Sequence, residues 1–337
     1  MKQTFFWLLL FCIPLSVGEL TLRWLIKARA EVWTPASFSY DDAWVGSRPQ
    51  PNLHLKVTAK QGGKTLYQAT YSTDQWGRRI TPLVNPLAKN GSLVFFGCSY
   101  TFGIGVNDDE TFPAALSRRL PGYRSYNYGG SGYGPQEMLA LLESPGFQAQ
   151  VPQGKSIGLY TFIDDHVERA LGSPRVFIYW GRHLPYYRLN AQGELERQGD
   201  FESGRPVLSR WYRLMSHSYL LTTAIGALYP NFVSDQDLVT VATLLDRSRK
   251  KYQELFQSDD FYVIFYPGAR NFSPRLIPLL KERGVRYLDY SKKNLAKEDW
   301  LPDRNHPNAR GHEKVASWVA GDLKILSRPS PWPAERR

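Results

Sequence analysis

Residues 93–103 read LVFFGCSYTFG, a short apolar segment that stops at a glycine and then presents a serine hydroxyl among small residues. An apolar run of this length ended by glycine is typical of a buried strand. The turn that follows places Ser99 at the carboxyl end of the strand, where ligands bind in α/β sheets. The stretch therefore predicts that Ser99 is an exposed nucleophile. The alternative interpretation is an ordinary Gly-x-Ser turn with no catalytic role.

The chain on either side of this stretch alternates between strand and helix patterns. Apolar runs at 157–163, 261–266 and 285–289 predict further strands, and 135–142, 235–256 and 274–284 predict helices. Such alternation favours a mainly parallel sheet with helices on both faces, a three-layer α/β/α domain. We expect this domain to span residues 91–328.

A second motif lies near the end of the chain, where residues 301–308 read LPDRNHPN. Asp303 stands three residues before His306 in a proline-bounded loop that leads into a helix. Held in one loop, the carboxylate can fix the imidazole through Nδ1 and leave Nε2 free to accept a proton from a serine. The alternative interpretation is a solvated turn whose polar residues cap the next helix.

Together the two motifs resemble those of the SGNH, or GDSL-type, hydrolase family, with an early Gly-x-Ser nucleophile and a late Asp-x-x-His pair. The resemblance implies a catalytic triad of Ser99, His306 and Asp303, with no metal or cofactor. It also implies an asparagine followed five residues later by an oxyanion-hole glycine, and Asn127 and Gly132 supply that spacing. The alternative for Gly132 is a glycine-rich loop that leads into the helix begun by Pro135.

The chain departs from the family where an asparagine side chain normally completes the oxyanion hole. After the predicted strand that ends at Ile163 come two carboxylates, Asp164 and Asp165, and then His166. An ionised Asp164 would repel an oxyanion, so either His166 donates in its place or the hole uses backbone donors alone. The alternative is a structural cluster of charged side chains at a strand end.

Two segments lie outside the alternating pattern. Residues 31–90 carry two short strand patterns around Gly62 and Gly63, which predicts a small β-rich appendage. Residues 171–233 are predicted as an insertion whose hairpin uses 176–180 and 185–189 as strands. Its aromatic and basic residues are a candidate platform for sugar or acyl groups, or else pack on themselves. These candidate residues are Trp180, Arg182, Tyr186 and Tyr187.

The amino terminus indicates export. A charged start and an apolar core at 5–17 have the length of a signal peptide, and no clear cleavage site follows. We expect residues 1–30 to be a signal peptide or an uncleaved anchor, which places the protein in the periplasm or on the inner membrane. Residues 329–337 are predicted to be a tail. The formal net charge of +11 is scattered along the chain, and no nucleic-acid-binding motif accompanies it.

These features predict a serine esterase that removes O-acetyl or similar esters from a carbohydrate of the cell envelope. An O-acyltransferase with the same triad is an alternative, because only the acceptor of the acyl group differs. A membrane-tethered glycan-binding or assembly protein on an inactive hydrolase scaffold is a second alternative, and Asp164 is its best support.

Overall fold

The computed structural model describes residues 2–29, 31–35, 37–88 and 90–326. Within these ranges the strands are β1 (Glu31–Thr34), β2 (Ser39–Asp42), β3 (Gly46–Pro49), β4 (His54–Gln61), β5 (Lys64–Ser72), β6 (Gly91–Phe96), β7 (Tyr123–Asn127), β8 (Ser156–Phe162), β9 (Pro185–Leu189), β10 (Leu195–Asp200), β11 (Phe261–Phe265) and β12 (Arg286–Asp289).

The α-helices in the same ranges are α1 (Lys2–Arg29), α2 (Ser99–Phe102), α3 (Phe112–Arg119), α4 (Pro135–Glu143), α5 (Asp165–Leu171), α6 (Pro174–Val176), α7 (Phe201–Gly204), α8 (Pro206–Met215), α9 (Tyr219–Leu228), α10 (Asp235–Phe256), α11 (Ser273–Glu282) and α12 (Ala309–Leu326). A single π-helical turn, Phe177–Gly181, follows α6. The predicted tail at 329–337, together with Met1 and Ala30, lies outside the described residues.

The central sheet is fully parallel and has the strand order β12-β11-β8-β6-β7. Every residue of β8 and β11 is buried, because helices cover both faces of the sheet. One face packs against α4, α5, α10 and α11, and the other packs against α3 and α12. The predicted three-layer α/β/α fold with a parallel sheet is confirmed.

A smaller antiparallel sheet, in the order β1-β4-β5, precedes the domain and confirms the predicted β appendage. Aromatic side chains of this sheet and of the segment after β1 pack directly on the residues that follow Ser99. The ring of Phe102 stacks on Phe38 and meets Tyr71 edge-on, with both pairs of ring centroids 5.4 Å apart. The Tyr71 hydroxyl also accepts a hydrogen bond from the Gly105 N–H at 2.7 Å. The appendage therefore supports the loop that carries the predicted nucleophile.

The predicted hairpin of the 171–233 insertion is wrong in one of its two strands. Residues 176–180 are helical, because the Ser173 hydroxyl and Pro174 begin α6 and the chain continues into the π-helical turn. Val176 and Phe177 are buried there, so side-chain packing outweighs their preference for strands. The hairpin that does form pairs β9 with β10, and the helices α7, α8 and α9 complete the insertion.

The amino-terminal helix α1 packs against α9 of this insertion. The carboxylate of Glu19 accepts hydrogen bonds from the N–H groups of Tyr219 and Leu220, at 2.8 and 2.9 Å, which satisfies two free donors at the start of α9. Arg23 pairs with Glu19 at 2.7 Å. Among the described residues, no helix combines the length and apolar character needed to cross a bilayer.

Candidate active site

Ser99, His306 and Asp303 lie in a hydrogen-bonded series at the carboxyl end of the central sheet. The distance from Ser99 Oγ to His306 Nε2 is 3.1 Å, and the distance from His306 Nδ1 to Asp303 Oδ2 is 2.6 Å. The side chains come from segments more than 200 residues apart, with a separation of 207 between serine and histidine. The arrangement is that of a nucleophile, a general base and an orienting carboxylate.

The turn before Ser99 depends on a glycine. Gly97 has φ +142°, and a Cβ at this position would lie 2.4 Å from Thr101 Oγ1 and 3.1 Å from the Thr161 carbonyl oxygen. Any other residue would thus clash with the neighbouring strand and strain the backbone. The turn lets Ser99 begin α2 with its hydroxyl directed at the imidazole.

The loop that carries the imidazole is held by its own backbone. One oxygen of Asp303 accepts the N–H groups of Asn305 and His306 at 2.9 and 3.1 Å. Tyr100, the residue after the serine, donates its hydroxyl to the Asn305 carbonyl at 2.7 Å and ties the two motifs together. Burial alone would raise the pKa of Asp303, but the hydrogen bonds from His306 and the backbone hold that pKa below its usual value. The carboxylate therefore stays ionised beside the imidazole.

Two backbone amides are candidates for an oxyanion hole. In the described part of the chain, neither the Ser99 N–H nor the Gly132 N–H donates to another group. Gly132 has φ +79°, and its loop is drawn to the serine turn by a hydrogen bond of 3.1 Å from the Gly130 N–H to the Gly97 carbonyl. The side chain of Asn127 holds this loop in place. Its Nδ2 donates to the Thr101 carbonyl and its Oδ1 accepts the Gly129 N–H, both at 2.9 Å.

Asp164 and His166 have different environments from those the sequence suggests. The carboxylate of Asp164 accepts the N–H groups of Asn271 and Phe272, at 2.9 and 3.2 Å, and so anchors the loop after β11. His166 is fully buried, its Nδ1 lies 2.8 Å from the Tyr160 hydroxyl, and it is absent from the lining of the Ser99 cleft. The prediction that His166 donates to an oxyanion is wrong, because its ring packs in the core between aromatic side chains.

The cleft around Ser99 is polar and carries several cations. Asp165 pairs with Arg169 and Arg175 at 3.5 and 3.7 Å. Arg304, in the triad loop, is exposed and has no side-chain partner among the described residues. Beyond the triad pair Ser99 and His306, the cleft is lined by Tyr100, Ile163, Asp164, Asp165, Arg169, Arg175, Trp180, Pro267, Gly268, Ala269, Asn271, Trp300, Arg304 and Asn305.

Of the four residues predicted to bind substrate, the structure brings one to this cleft. Trp180 lies on its wall, and its indole Nε1 is 3.0 Å from where a Cβ on Gly132 would be. Tyr187 is instead a core residue whose hydroxyl donates to Glu143 at 2.9 Å. Tyr186 packs on Phe201, and Arg182 lies over Phe177. These three predictions are wrong, because Tyr186 and Tyr187 lie on β9 and Arg182 follows the π-helical turn, where each packs against other residues of the insertion or the core.

Arg79, which no sequence motif indicates, is 1% exposed and holds the loop after Ser99. Its guanidinium pairs with Asp108 at 2.5 Å and donates to the Thr70 and Val106 carbonyls, each at 2.9 Å. A buried arginine is recognised from its partners, and those lie on separate segments, so no local pattern identifies it. Within the described ranges, no group of three acidic, histidine or cysteine side chains is arranged to hold a metal ion.

Two buried imidazoles predict a loss of stability in mild acid. Burial lowers the pKa of His312 from 6.5 to about 3, with help from the charges of His306 and Arg79, and burial together with Arg169 lowers that of His166. Both rings are neutral in the folded protein and gain protons on unfolding below about pH 6.5. Each should therefore reduce the free energy of unfolding by about 1.4 kcal/mol per pH unit as the pH falls below that value.

Urea unfolding between about pH 7 and pH 5 measures this slope. His312→Leu should flatten it by the contribution of one histidine, and the exposed His217→Gln is the matched control that should leave it unchanged. Equal slopes for the wild type and His312→Leu would contradict the neutral, buried state of this ring.

No family model and no curated protein matches this sequence. Solved structures that the chain is similar to include an α/β hydrolase enzyme from the metagenome of Lake Arreo, Spain, at 12% identity and TM-score 0.41, over 72% of this chain and 98% of that one. A psychrotrophic esterase from Pseudoalteromonas sp. matches at 10% identity and TM-score 0.41, over 71% and 100%. A member of the lipolytic G-D-S-L family from Veillonella parvula matches at 12% identity and TM-score 0.39, over 71% and 99%.

Proposed function

We propose that this protein is a serine esterase whose nucleophile is Ser99. The observation that carries the proposal is the series of two hydrogen bonds, 3.1 and 2.6 Å long, that joins Ser99 to His306 and His306 to Asp303. A serine hydroxyl is a weak nucleophile until an adjacent base removes its proton, and an imidazole held by a carboxylate is such a base.

The reaction follows from this geometry in two steps. Ser99 Oγ attacks the ester carbonyl carbon while its proton passes to His306 Nε2, and the same proton then goes to the departing alcohol as the ester C–O bond breaks. A water molecule next gives a proton to His306 Nε2 and attacks the acyl carbon; the bond from that carbon to Ser99 Oγ then breaks, and His306 returns the proton to Oγ, which releases the acid and restores the serine. Asp303 keeps the imidazole in the required tautomer and stabilises its charged form.

The N–H groups of Ser99 and Gly132 are proposed to hold the oxyanion of the tetrahedral intermediate. Asp164 lines the same cleft, where both of its oxygens accept hydrogen bonds from the backbone of the neighbouring loop. The hole would then use backbone donors without the asparagine side chain of the family pattern.

The proposed substrate is an O-acetyl or similar ester on a carbohydrate of the cell envelope. Trp180, 46% exposed, and Trp300 offer apolar faces in the cleft, on which a sugar ring can lie. The cations of the cleft add hydrogen-bond donors for hydroxyl or carboxylate groups on such a glycan. Product analysis with a sugar acceptor present separates hydrolysis from acyl transfer.

A serine-directed fluorophosphonate probe tests the proposal directly. The probe should label the wild-type protein, fail to label Ser99→Ala, and label His306→Gln at least about a hundredfold more slowly, because the base that activates the serine is missing. Ser317→Ala, which removes an exposed hydroxyl on α12, is the matched control and should label normally. Labelling of Ser99→Ala at the wild-type rate would place the reactive serine elsewhere and refute the proposal.

The place of the protein in the cell is a separate proposal. Export to the periplasm, with attachment through the amino-terminal segment, is supported by the charged start and the apolar core at residues 5–17. Cell fractionation of the full chain tests it, and recovery only from the cytoplasm would contradict it.

A further inference from the structure

The helices α8 and α9 of the insertion present an unusual surface. Residues 203–234 contain no aspartate or glutamate, although 22% of the whole chain is charged. The cations Arg210 and Arg213 lie on α8, and both are exposed. This stretch thus carries only positive charge at neutral pH.

Apart from Arg210 and Arg213, the large side chains exposed on the two helices are apolar, whereas the buried side includes hydroxyl groups. Ser209 and Thr222 face inward at 0% and 4% exposure. Trp211 and Leu214 of α8 are 60% and 62% exposed, and Phe232, four residues after α9, is 74% exposed. We call the outward set the α8–α9 face; it comprises Val207, Leu208, Trp211, Leu214, Leu221, Leu228 and Phe232. Large exposed apolar residues concentrated on one segment of the chain, rather than scattered singly, indicate an interaction site.

The α8–α9 face continues onto helix α1. Leu15 of α1 and Leu221 of α9 line one shallow groove between the two helices. Leu20 and Trp24 of α1 are also exposed, at 67% and 68%. Glu19 is the sole acidic residue of α1, and it is engaged by Arg23 and by the start of α9. Both helices therefore offer an apolar surface without free negative charge.

We propose that the α8–α9 face binds the headgroup region of an anionic lipid bilayer. Exposed tryptophan, leucine and phenylalanine beside cations is the composition of helices that lie in a membrane interface. Of the two cations on α8, Arg213 pairs with Glu202 at 3.0 Å. Arg210 has no ion-pair partner among the described residues, so it is available to lipid phosphates. A second copy of the chain suits this face less well, because a symmetric contact would bring like charges together.

Helix α9 packs beside a residue of the Ser99 cleft. A Cβ on Gly226 of α9 would lie 3.7 Å from Arg175 Cβ, and Arg175 lines the cleft. The lipid proposal itself does not depend on catalysis, since it concerns binding alone.

Vesicle co-flotation of the full chain tests the proposal, with phosphatidylglycerol vesicles compared with phosphatidylcholine vesicles. The wild type should prefer the anionic vesicles, and Trp211→Glu/Leu214→Glu should weaken its binding by at least about tenfold. Arg210→Ser should weaken it by about fivefold, and this loss should shrink as salt is added. The matched control is Leu87→Glu. Leu87 is an exposed leucine just before the amino-terminal end of β6, and this variant should bind like the wild type.

Two results would overturn the proposal. Unchanged vesicle binding by the double variant would mean that α1 alone, or no surface, contacts lipid. A wild-type dimer that the double variant converts to monomer, with vesicle binding unchanged, would mean that a second copy covers the face. Thermal unfolding of each variant excludes loss of folding as the cause, and fluorophosphonate labelling of the double variant reports on catalysis separately.

Discussion

Ser99→Ala is expected to lower kcat for a short aryl ester by at least about 10⁴-fold, because it removes the proposed nucleophile. In the described residues, the one side-chain hydrogen bond of Ser99 is that to His306, so its loss should leave the fold and the thermal unfolding midpoint nearly unchanged. Steady-state hydrolysis, with circular dichroism as the check on folding, measures both quantities.

Asp303→Asn is the companion to this variant and separates the roles within the triad. The amide keeps the shape of the carboxylate but cannot hold His306 in the tautomer that accepts a proton, so kcat should again fall by about 10⁴-fold. The double variant Ser99→Ala/Asp303→Asn should be hardly slower than either single variant, since the residues act as one unit. Turnover of Ser99→Ala within tenfold of the wild type would rule out the mechanism.

The second large effect concerns stability. Arg79→Met is expected to reduce the free energy of unfolding by about 3–5 kcal/mol, because it leaves the half-buried Asp108 carboxylate and several buried carbonyl groups without their donor. The guanidinium also lies over the Tyr71 and Phe102 rings, 4.2 and 4.9 Å from their centroids. Arg79→Lys should recover little of this loss, since an ammonium group cannot reach carbonyls on both sides of the loop.

Chemical denaturation measures this effect, and Arg118→Met is the matched control. Arg118 forms an ion pair with Glu313 at 3.0 Å, but both side chains are more than 40% exposed, at 44% and 42%. Loss of such a surface pair should cost about 1 kcal/mol or less. Equal destabilisation by the two substitutions would show that Arg79 does not hold the loop after Ser99.

Much of the scaffold could be predicted because its signals are local. Strand β6 and the long helix α10 follow from runs and periodicities within one segment, since burial on both faces or on one face imposes those patterns. The segment 176–180 shows the limit of such reasoning. Its residues suit a strand, yet the serine and proline before it start a helix, and packing of Val176 and Phe177 maintains it.

The candidate site likewise contains features that local sequence predicts and features that it does not. The Asp303 and His306 contact could be predicted because the residues lie three apart in one loop, and Gly97 follows from a turn that must end a strand. The roles of His166 and Tyr187 could not, because an aromatic or polar residue beside a strand looks the same whether it faces a cleft or the core.

By itself the sequence determined the strands β6, β8, β11 and β12 with the helices α4, α10 and α11, the serine turn and the histidine loop, because each depends on neighbours within a few residues. Only the tertiary structure decided that Ser99 and His306 meet, and that Trp180 alone of the four predicted substrate-binding residues reaches their cleft. It also decided that Arg79 supports the loop after Ser99. The physical reason is that these contacts join segments distant in the chain, and a local pattern reports that a side chain is buried but not what it is buried against.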